Sequence, residues 1–262
     1  SRSRRWNSSG ASDTHSTEVR TPRLQLDGPL APGPRELDAE EAHYLLTVLR
    51  RRTGDAVRVF DGAGTSADGR ITVAGKRHCL VELDTPFPEN LESPLDVHLG
   101  LALLRGERMD IALQKACELG VRSVTPLRTE RTELRLEGKR LDNRMRHWSE
   151  VLRHAAQQSG RSVLATLQPV STLDAHLAGR DGAPGLVMDP TGVPLGDLAL
   201  AAPQRLHLLT GPEGGFSDSE LARADAAGWQ RLAAGPRVLR AETAPLVGLA
   251  LVQGRFGDLE RG

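Results

Sequence analysis

Residues 205–256 read as two strand–loop–helix units in succession, and no other stretch restricts the fold as strongly. The apolar run Leu206-His207-Leu208-Leu209 ends at Thr210 and passes into Gly211-Pro212-Glu213-Gly214-Gly215, so a buried strand stops at a tight glycine loop. Ser217-Asp218-Ser219-Glu220 then has the spacing of a capping box, which predicts a helix running to Gly228. The second unit is a strand over 229–233, a loop Gly235-Pro236-Arg237-Val238-Leu239-Arg240, and a helix with Thr243 as N-cap and Pro245 in its first turn. Glycine loops that open helices present amides to anions. Neither loop carries the Lys-Ser/Thr ending of a phosphate-binding loop or a Gly-x-Gly-x-x-Gly, and Glu213 would repel a phosphate. A carboxylate there suits a cation or a neutral sugar hydroxyl.

Upstream, the elements alternate. Strand 97–104, helix 108–119 closed by Gly120, strand 121–127, helix 141–158 closed by Gly160, strand 164–170, a short helix capped by Ser171 and strand 186–188 ending at Asp189-Pro190 predict a parallel α/β sheet. Sites in such sheets lie beyond the strand carboxyl ends, which groups Asp189 with both glycine loops into one pocket. Residues 21–91 read differently. Short alternating segments at 24–26, 56–60, 71–73 and 79–83, with turns at Asp61-Gly62 and Asp68-Gly69, predict a small antiparallel barrel or sandwich. One helix interrupts it, starting at Asp38 with Glu41 three residues on. Pro86, Pro88 and Pro94 mark a stiff linker with a boundary near residue 91, and residues 1–20, rich in serine and arginine, predict a disordered extension.

Composition narrows the function classes. The 34 basic and 34 acidic side chains cancel, so any RNA surface must come from local segregation of charge. Such segregation occurs at Arg128, Arg131, Arg135, Lys139, Arg140, Arg144, Arg146, Arg153 and Arg161, which read either as a phosphate-tracking surface or as a solvated helix face. Arg50-Arg51-Arg52 reads equally as a phosphate contact or as a complement to a helix dipole. Trp148 is assigned to the core. Cys79 and Cys117 are too far apart in sequence for a zinc spacing, which predicts no metal and a reducing cytoplasmic setting. No apolar run approaches the roughly 20 residues of a bilayer span, so no membrane partner is expected.

Leu-Thr-Gly-Pro-Glu-Gly-Gly-Phe-Ser from Leu209, followed by Gly-Pro-Arg-Val-Leu-Arg-Ala-Glu-Thr-Ala from Gly235, resembles the RsmE family of 16S ribosomal RNA uridine-N3 methyltransferases, in the SPOUT class. Gln114 to Val121, Gln157 to Arg161 and His43 to Arg50 resemble further family landmarks in family order, so the likeness covers the chain from about residue 22 onward. The chain departs at Gln157, where the family often has glutamate, and at Ala234, where it often has a bulky apolar residue. The resemblance implies an α/β, trefoil-knotted SPOUT domain over 92–262 preceded by a PUA-like RNA-binding barrel, although ordinary connection rules exclude a knot. It implies S-adenosylmethionine held by Met188, Asp189, Leu209, Thr210, Gly211, Pro212, Glu213, Gly214, Gly215, Gly235, Val238, Leu239, Arg240, Thr243 and Ala244. It also implies 16S ribosomal RNA as partner, within the small subunit, bound by Arg50, Arg51, Arg128, Arg131 and Arg161, and a homodimer joined through the helix from Thr243.

For the chemistry, Arg240 is assigned to the uracil ring, with Arg237 as its substitute, because a guanidinium fork can donate to a carbonyl oxygen as negative charge develops. A structural ion pair is the alternative for Arg240. Glu242 reads as proton acceptor or as stabiliser of the helix start. Two other functions compete: methylation of a ribose 2′-hydroxyl, and a non-catalytic RNA-binding protein that senses the cofactor.

Overall fold

The computed structural model describes residues 21–75 and 78–260; the extension expected over 1–20 lies outside the described residues. The first half is built from β1 (Arg23–Gln25), β2 (Gly33–Glu36), α1 (Ala39–His43), β3 (Ala56–Phe60), β4 (Thr65–Gly75), β5 (His78–Leu83) and β6 (Phe87–Pro88). Asp38 caps α1 as its spacing predicts: its carboxylate accepts the Glu40 and Glu41 amides, both at 2.8 Å, while the Glu41 carboxylate accepts the Asp38 amide at 2.8 Å. One π-helical turn, Tyr44–Val48, continues it. The strands form one sheet in the order β1-β3-β4-β5-β2 with β6 on β4, antiparallel except for β1 against β3.

Two expectations fail here. Asp68-Gly69 is not a turn but lies inside β4, where Arg58 grips Asp68 at 2.7 Å. A Cβ on Gly69 would stand 2.6 Å from the Glu82 carbonyl, so this glycine serves a close strand approach. Strand β2, Gly-Pro-Arg-Glu, was invisible because it has no apolar alternation and owes its conformation to pairing with β5.

The second half comprises β7 (Asp96–Ala102), α2 (Glu107–Glu118), β8 (Val121–Arg128), α3 (Gly138–Ser159), β9 (Thr166–Leu167), β10 (Ser171–Thr172), α4 (Leu173–Ala178), β11 (Gly185–Val193), β12 (Arg205–Thr210), α5 (Asp218–Ala226), β13 (Gln230–Leu232) and α6 (Thr243–Phe256). All pairings are parallel, in the order β10-β8-β7-β12-β11-β13 with β9 on β8. Val97, Leu99 and Leu101 of β7 are wholly buried, as a central parallel strand requires. The strand expected over 164–170 is replaced by the short β9 and β10, and α4 is capped by Thr172, whose hydroxyl accepts the Ala175 amide, rather than by Ser171. Trp148 is buried as assigned. On the sheet face under α4, His98, His176 and His207 pack with Trp229, and burial pushes His176 and His207 down to about 4, so both rings are neutral at physiological pH.

After β13, at the edge of the sheet, the chain turns back to the middle, where α6 packs on β12, β7 and α2. Its inward face is Pro245, Gly248, Leu249, Val252 and Gln253. A Cβ on Gly248 would meet Leu208 Cδ2 and Met188 Sδ, each at 2.9 Å, so a side chain there would require those two to shift. Gln253 locks the far end by accepting from Ser93 Oγ at 2.6 Å and donating to the Gly120 carbonyl at 3.3 Å.

The proline-rich linker is anchored at both sides by its acids. Glu89 accepts from Arg23 at 2.8 Å, Arg58 at 3.3 Å and Ser66 Oγ at 2.6 Å. Glu92 pairs with Arg161, whose Nη1 also donates to the Cys117 and Val121 carbonyls at 2.9 and 3.0 Å. Phe60, at the end of β3, is buried in the hydrophobic core of the second half. Arg161 is therefore not an RNA contact: it is 5% exposed and every donor it offers is turned inward. Arg161→Ala leaves a half-buried carboxylate and two carbonyls without their donor, and we expect it to lower stability by about 1–3 kcal/mol, read as a drop in the urea midpoint. A variant of unchanged midpoint that loses RNA affinity would return Arg161 to the RNA surface.

Candidate cofactor and RNA site

Beyond the carboxyl ends of β11, β12 and β13 lies a cavity of about 550 Å³, within the range of small-molecule sites. One wall is the loop after β12. Ser217 closes the capping box that starts α5, accepting the Glu220 amide at 3.1 Å while Glu220 accepts the Ser217 amide at 2.9 Å. This fixes the loop between Thr210 and Ser217. Gly211, Pro212, Glu213, Gly215 and Phe216 line the cavity from it. The opposite wall is the loop after β13, with Gly235, Arg237, Val238, Leu239 and Arg240, continued by Glu242 and Ala244 at the start of α6. Met188 and Asp189, at the bend in β11, form the floor. The sequence-based grouping of three strand ends into one pocket therefore holds.

Four expected members stand back from the wall. Leu209 is buried in the cluster of Val187, Phe216 and Trp229, and Thr210 is fully buried beneath the loop. Gly214 points the other way: a Cβ there would meet the Arg131 side chain at 3.4 Å. Thr243 is the first residue of α6 and not its cap, which is Glu242. Asp189 lines the cavity, but its Oδ1 already accepts the Thr191 amide and hydroxyl in a local turn.

Gly215 and Gly235 show why this backbone is glycine. Both line the cavity at positive φ, 67° and 77°, and an added Cβ on either would meet no protein atom within 4 Å. It would project into the space a ligand needs, in a backbone conformation that L-residues rarely adopt.

The charged groups converge at the mouth. Arg108, from the first turn of α2, donates to Glu213 Oε1 at 3.0 Å, and its Nε stands 3.9 Å from Glu242 Oε2. Burial works to raise the Glu213 carboxyl, but its own amide, the Arg105 amide and the Arg108 guanidinium outweigh it and hold it below its ordinary range. The Glu242 side chain is only 15% exposed, caps no helix amide, and leaves Oε2 buried without a hydrogen bond. Arg240 is 81% exposed and pairs with Glu242 at 4.0 Å, so the ion pair of its alternative reading is present but solvent-exposed and without a hydrogen bond.

Residues 91–253 match the family profile described as RNA methyltransferase domain, and residues 37–84 that described as RNA methyltransferase PUA domain. A Synechocystis relative named ribosomal RNA small subunit methyltransferase E is 34% identical, covering 82% of this chain and 71% of its own. The chain belongs to the RsmE family. The methyltransferase of that name from Neisseria gonorrhoeae, solved bound to S-adenosyl methionine, is 32% identical with a TM-score of 0.84, covering 91% of this chain and 99% of its own. A Legionella pneumophila structure with bound cofactor SAM is 33% identical with a TM-score of 0.88, covering 92% and 100%. The fold is accordingly the SPOUT type, trefoil-knotted, with a PUA-like domain before it.

As members of an RsmE site, six wall residues escaped sequence reasoning: Arg108, Pro190, Phe216, Leu232, Ala234 and Ala241. The strand-end rule could have found Arg108, because it follows β7 at the same end of the sheet. Phe216 had no signal of its own; its ring packs 3.2 Å from where a Gly211 Cβ would be, closing the floor of the loop. Ala234, a departure from the family pattern, lies on the cavity wall. Of the expected RNA contacts, Arg50 is exposed and ends the helical segment at a φ of 56°. Arg51 is half-buried, while Arg128 and Arg131 give their guanidinium groups to loop carbonyls at Leu136, Gly214 and Phe216.

Gly215→Val should weaken S-adenosylmethionine about tenfold or more in calorimetry, since the left-handed backbone alone costs a side chain about 1–2 kcal/mol. Gly214→Ala, which meets only a flexible arginine, should change affinity less than about threefold. Equal losses would mean that Gly215 does not form the wall.

Proposed function

We propose that the chain transfers a methyl group from S-adenosylmethionine to N3 of a uridine in 16S ribosomal RNA, using the 92–262 part as the catalytic unit and the 21–91 part to hold RNA. The observation that carries this reading is Glu242: a buried carboxylate oxygen on the cavity wall, without a hydrogen bond, between the guanidinium groups of Arg108 and Arg240. Apolar side chains of Met188, Leu232, Val238, Leu239 and Phe216, together with glycine backbone, suit a flat adenosine, and Glu213 suits its hydroxyls. When bound, the cofactor supplies a methyl group on a sulfonium.

The chain's own task is to prepare the nitrogen. Uracil N3 carries an imide proton that must leave before or during attack, and the Glu242 carboxylate is the group on the cavity wall assigned to accept it, directly or through water. The charge left behind spreads onto two carbonyl oxygens in the plane of the ring. Arg240, exposed at the rim and planar, donates to one of them, with Arg237 beside it on the same loop. A ribose hydroxyl offers neither a plane nor paired carbonyls, so this carboxylate and guanidinium set fits the base better than the sugar. Methyl transfer from a sulfonium requires no Lewis acid. A ribosomal RNA substrate supports a cytoplasmic location; among the described residues no helix is long and apolar enough to cross a membrane.

Single-turnover methylation should fall by about 10²-fold or more in Arg240→Ala and in Glu242→Gln at saturating cofactor and RNA. Restoration of the wild-type rate at saturation would reduce either residue to a binding role.

We also propose a homodimer. The outward face of α6 carries Leu246, Val247, Ala250 and Leu251, of which Leu251 is 38% exposed, and α2, packed beside it, exposes Ile111. An apolar face of this kind beside a second one fits a copy of itself. Sedimentation at micromolar concentration should give a dimer for the wild type and a folded monomer for the double variant Val247→Asp, Leu251→Asp. A fully active wild-type monomer would contradict this.

A further inference from the structure

Residues 129–137, between β8 and α3, lie outside the cavity wall yet are hydrogen-bonded along the cofactor loop. Arg131 Nη1 donates to the Gly214 carbonyl at 2.8 Å and to the Phe216 carbonyl at 3.0 Å. These two carbonyls flank Gly215, the residue that meets the cavity in a left-handed conformation. The Glu130 amide donates to Glu220 Oε1 at 2.8 Å, and Glu220 uses its other oxygen to close the capping box on Ser217. Glu130 Oε1 in turn accepts from Ser219 Oγ at 2.8 Å and from Arg223 at 3.3 Å. Arg105, in the turn after β7, joins the same network by pairing with Glu133 and giving its amide to Glu213.

The other side of this segment is different. Arg135, and Lys139, Arg140 and Arg144 in the first turns of α3, are exposed, and none has a hydrogen-bond or ion-pair partner among the described residues. Four unpaired cations within ten residues are a place for phosphates, whose contacts position RNA without reading its bases. Arg135 belongs to the segment that grips the cofactor loop, and the other three cations follow it directly on α3.

We propose that the 129–137 segment couples the two ligands, with Arg131 as the positioning residue that transmits the effect. Phosphates seated on Arg135, Lys139, Arg140 and Arg144 fix the segment. Arg131 Nη1, which already holds the Gly214 and Phe216 carbonyls, is thereby kept in place, and with it Gly215 in the geometry that binds the cofactor. Coupling of this kind is reciprocal, so cofactor must tighten RNA by the same factor. The inference rests on the RNA methyltransferase reading and specifies the order built into that site: RNA prepares the pocket.

The test is calorimetry with S-adenosylhomocysteine, which binds without reacting, in the presence and absence of small ribosomal subunits assembled from unmodified 16S ribosomal RNA. In the wild type the subunits should tighten the cofactor at least about fivefold. Arg131→Ala should bind cofactor more weakly alone and show less than about a twofold effect of subunits. Arg131→Lys, which keeps one donor, should fall between. The combined Arg135→Gln, Lys139→Gln, Arg140→Gln variant should bind cofactor alone like the wild type and lose the enhancement. Circular dichroism melting confirms that each variant is folded. If Arg131→Ala weakens cofactor equally with and without subunits, or if the wild type binds both ligands independently, the coupling is absent and the proposal is overturned. A wild type that binds neither ligand would instead overturn the methyltransferase reading on which it rests.

Discussion

Helix α6 lies under the middle of the parallel sheet, packed on β12, β7 and α2, with Gly248 against the Leu208 and Met188 side chains. That contact determines the site. β13 ends at the outer edge of the sheet, and a helix leaving it by the ordinary route would carry residues 233–242 away from β12. By returning inward, α6 brings the second glycine loop to face the first and places Glu242, its cap, on the cavity wall. The close seat of α6 on β12 and the knotted path are thus one constraint, and the cavity is its consequence.

The charges then divide into two kinds. Arg161, Arg23 and Arg58 face carboxylates on the linker, Glu92 for the first and Glu89 for the other two, and these ion pairs tie the linker to both halves. Arg240 and Arg237 stand at the rim of the cavity with guanidinium groups that no carboxylate binds closely. Glu213 and Glu242 differ in the same way. Glu213 has its oxygen taken by Arg108 and the Arg105 amide, whereas Glu242 keeps one oxygen unbonded although it is buried. Among the described residues that oxygen has only the Arg108 guanidinium near it, at 3.9 Å.

Much of this was legible in the sequence where local chemistry decides the structure. The capping boxes at Asp38 and Ser217, the glycines that close α2 and α3, and the strand ends that gather Met188, Gly211 and Gly235 all follow from residue type and spacing. What failed was decided by partners distant in sequence. Gly69 looks like a turn residue until the Glu82 carbonyl is beside it, and Arg161 looks like a surface cation until Glu92 and two carbonyls surround it. The return of α6 could not be read from periodicity at all. Gly248 carries no mark that distinguishes a closely packed glycine from one in open space.

The cavity, on this reading, exists to methylate one ribosomal base. Mass spectrometry of nucleosides, from unmodified 16S ribosomal RNA treated with the protein and isotope-labelled S-adenosylmethionine, tests it most directly. The expected product is labelled 3-methyluridine at a single position, reduced about 10²-fold or more in initial rate with Glu242→Gln. Label appearing on a ribose 2′-oxygen, or no label with an intact, cofactor-binding protein on both free RNA and assembled small subunits, would contradict it.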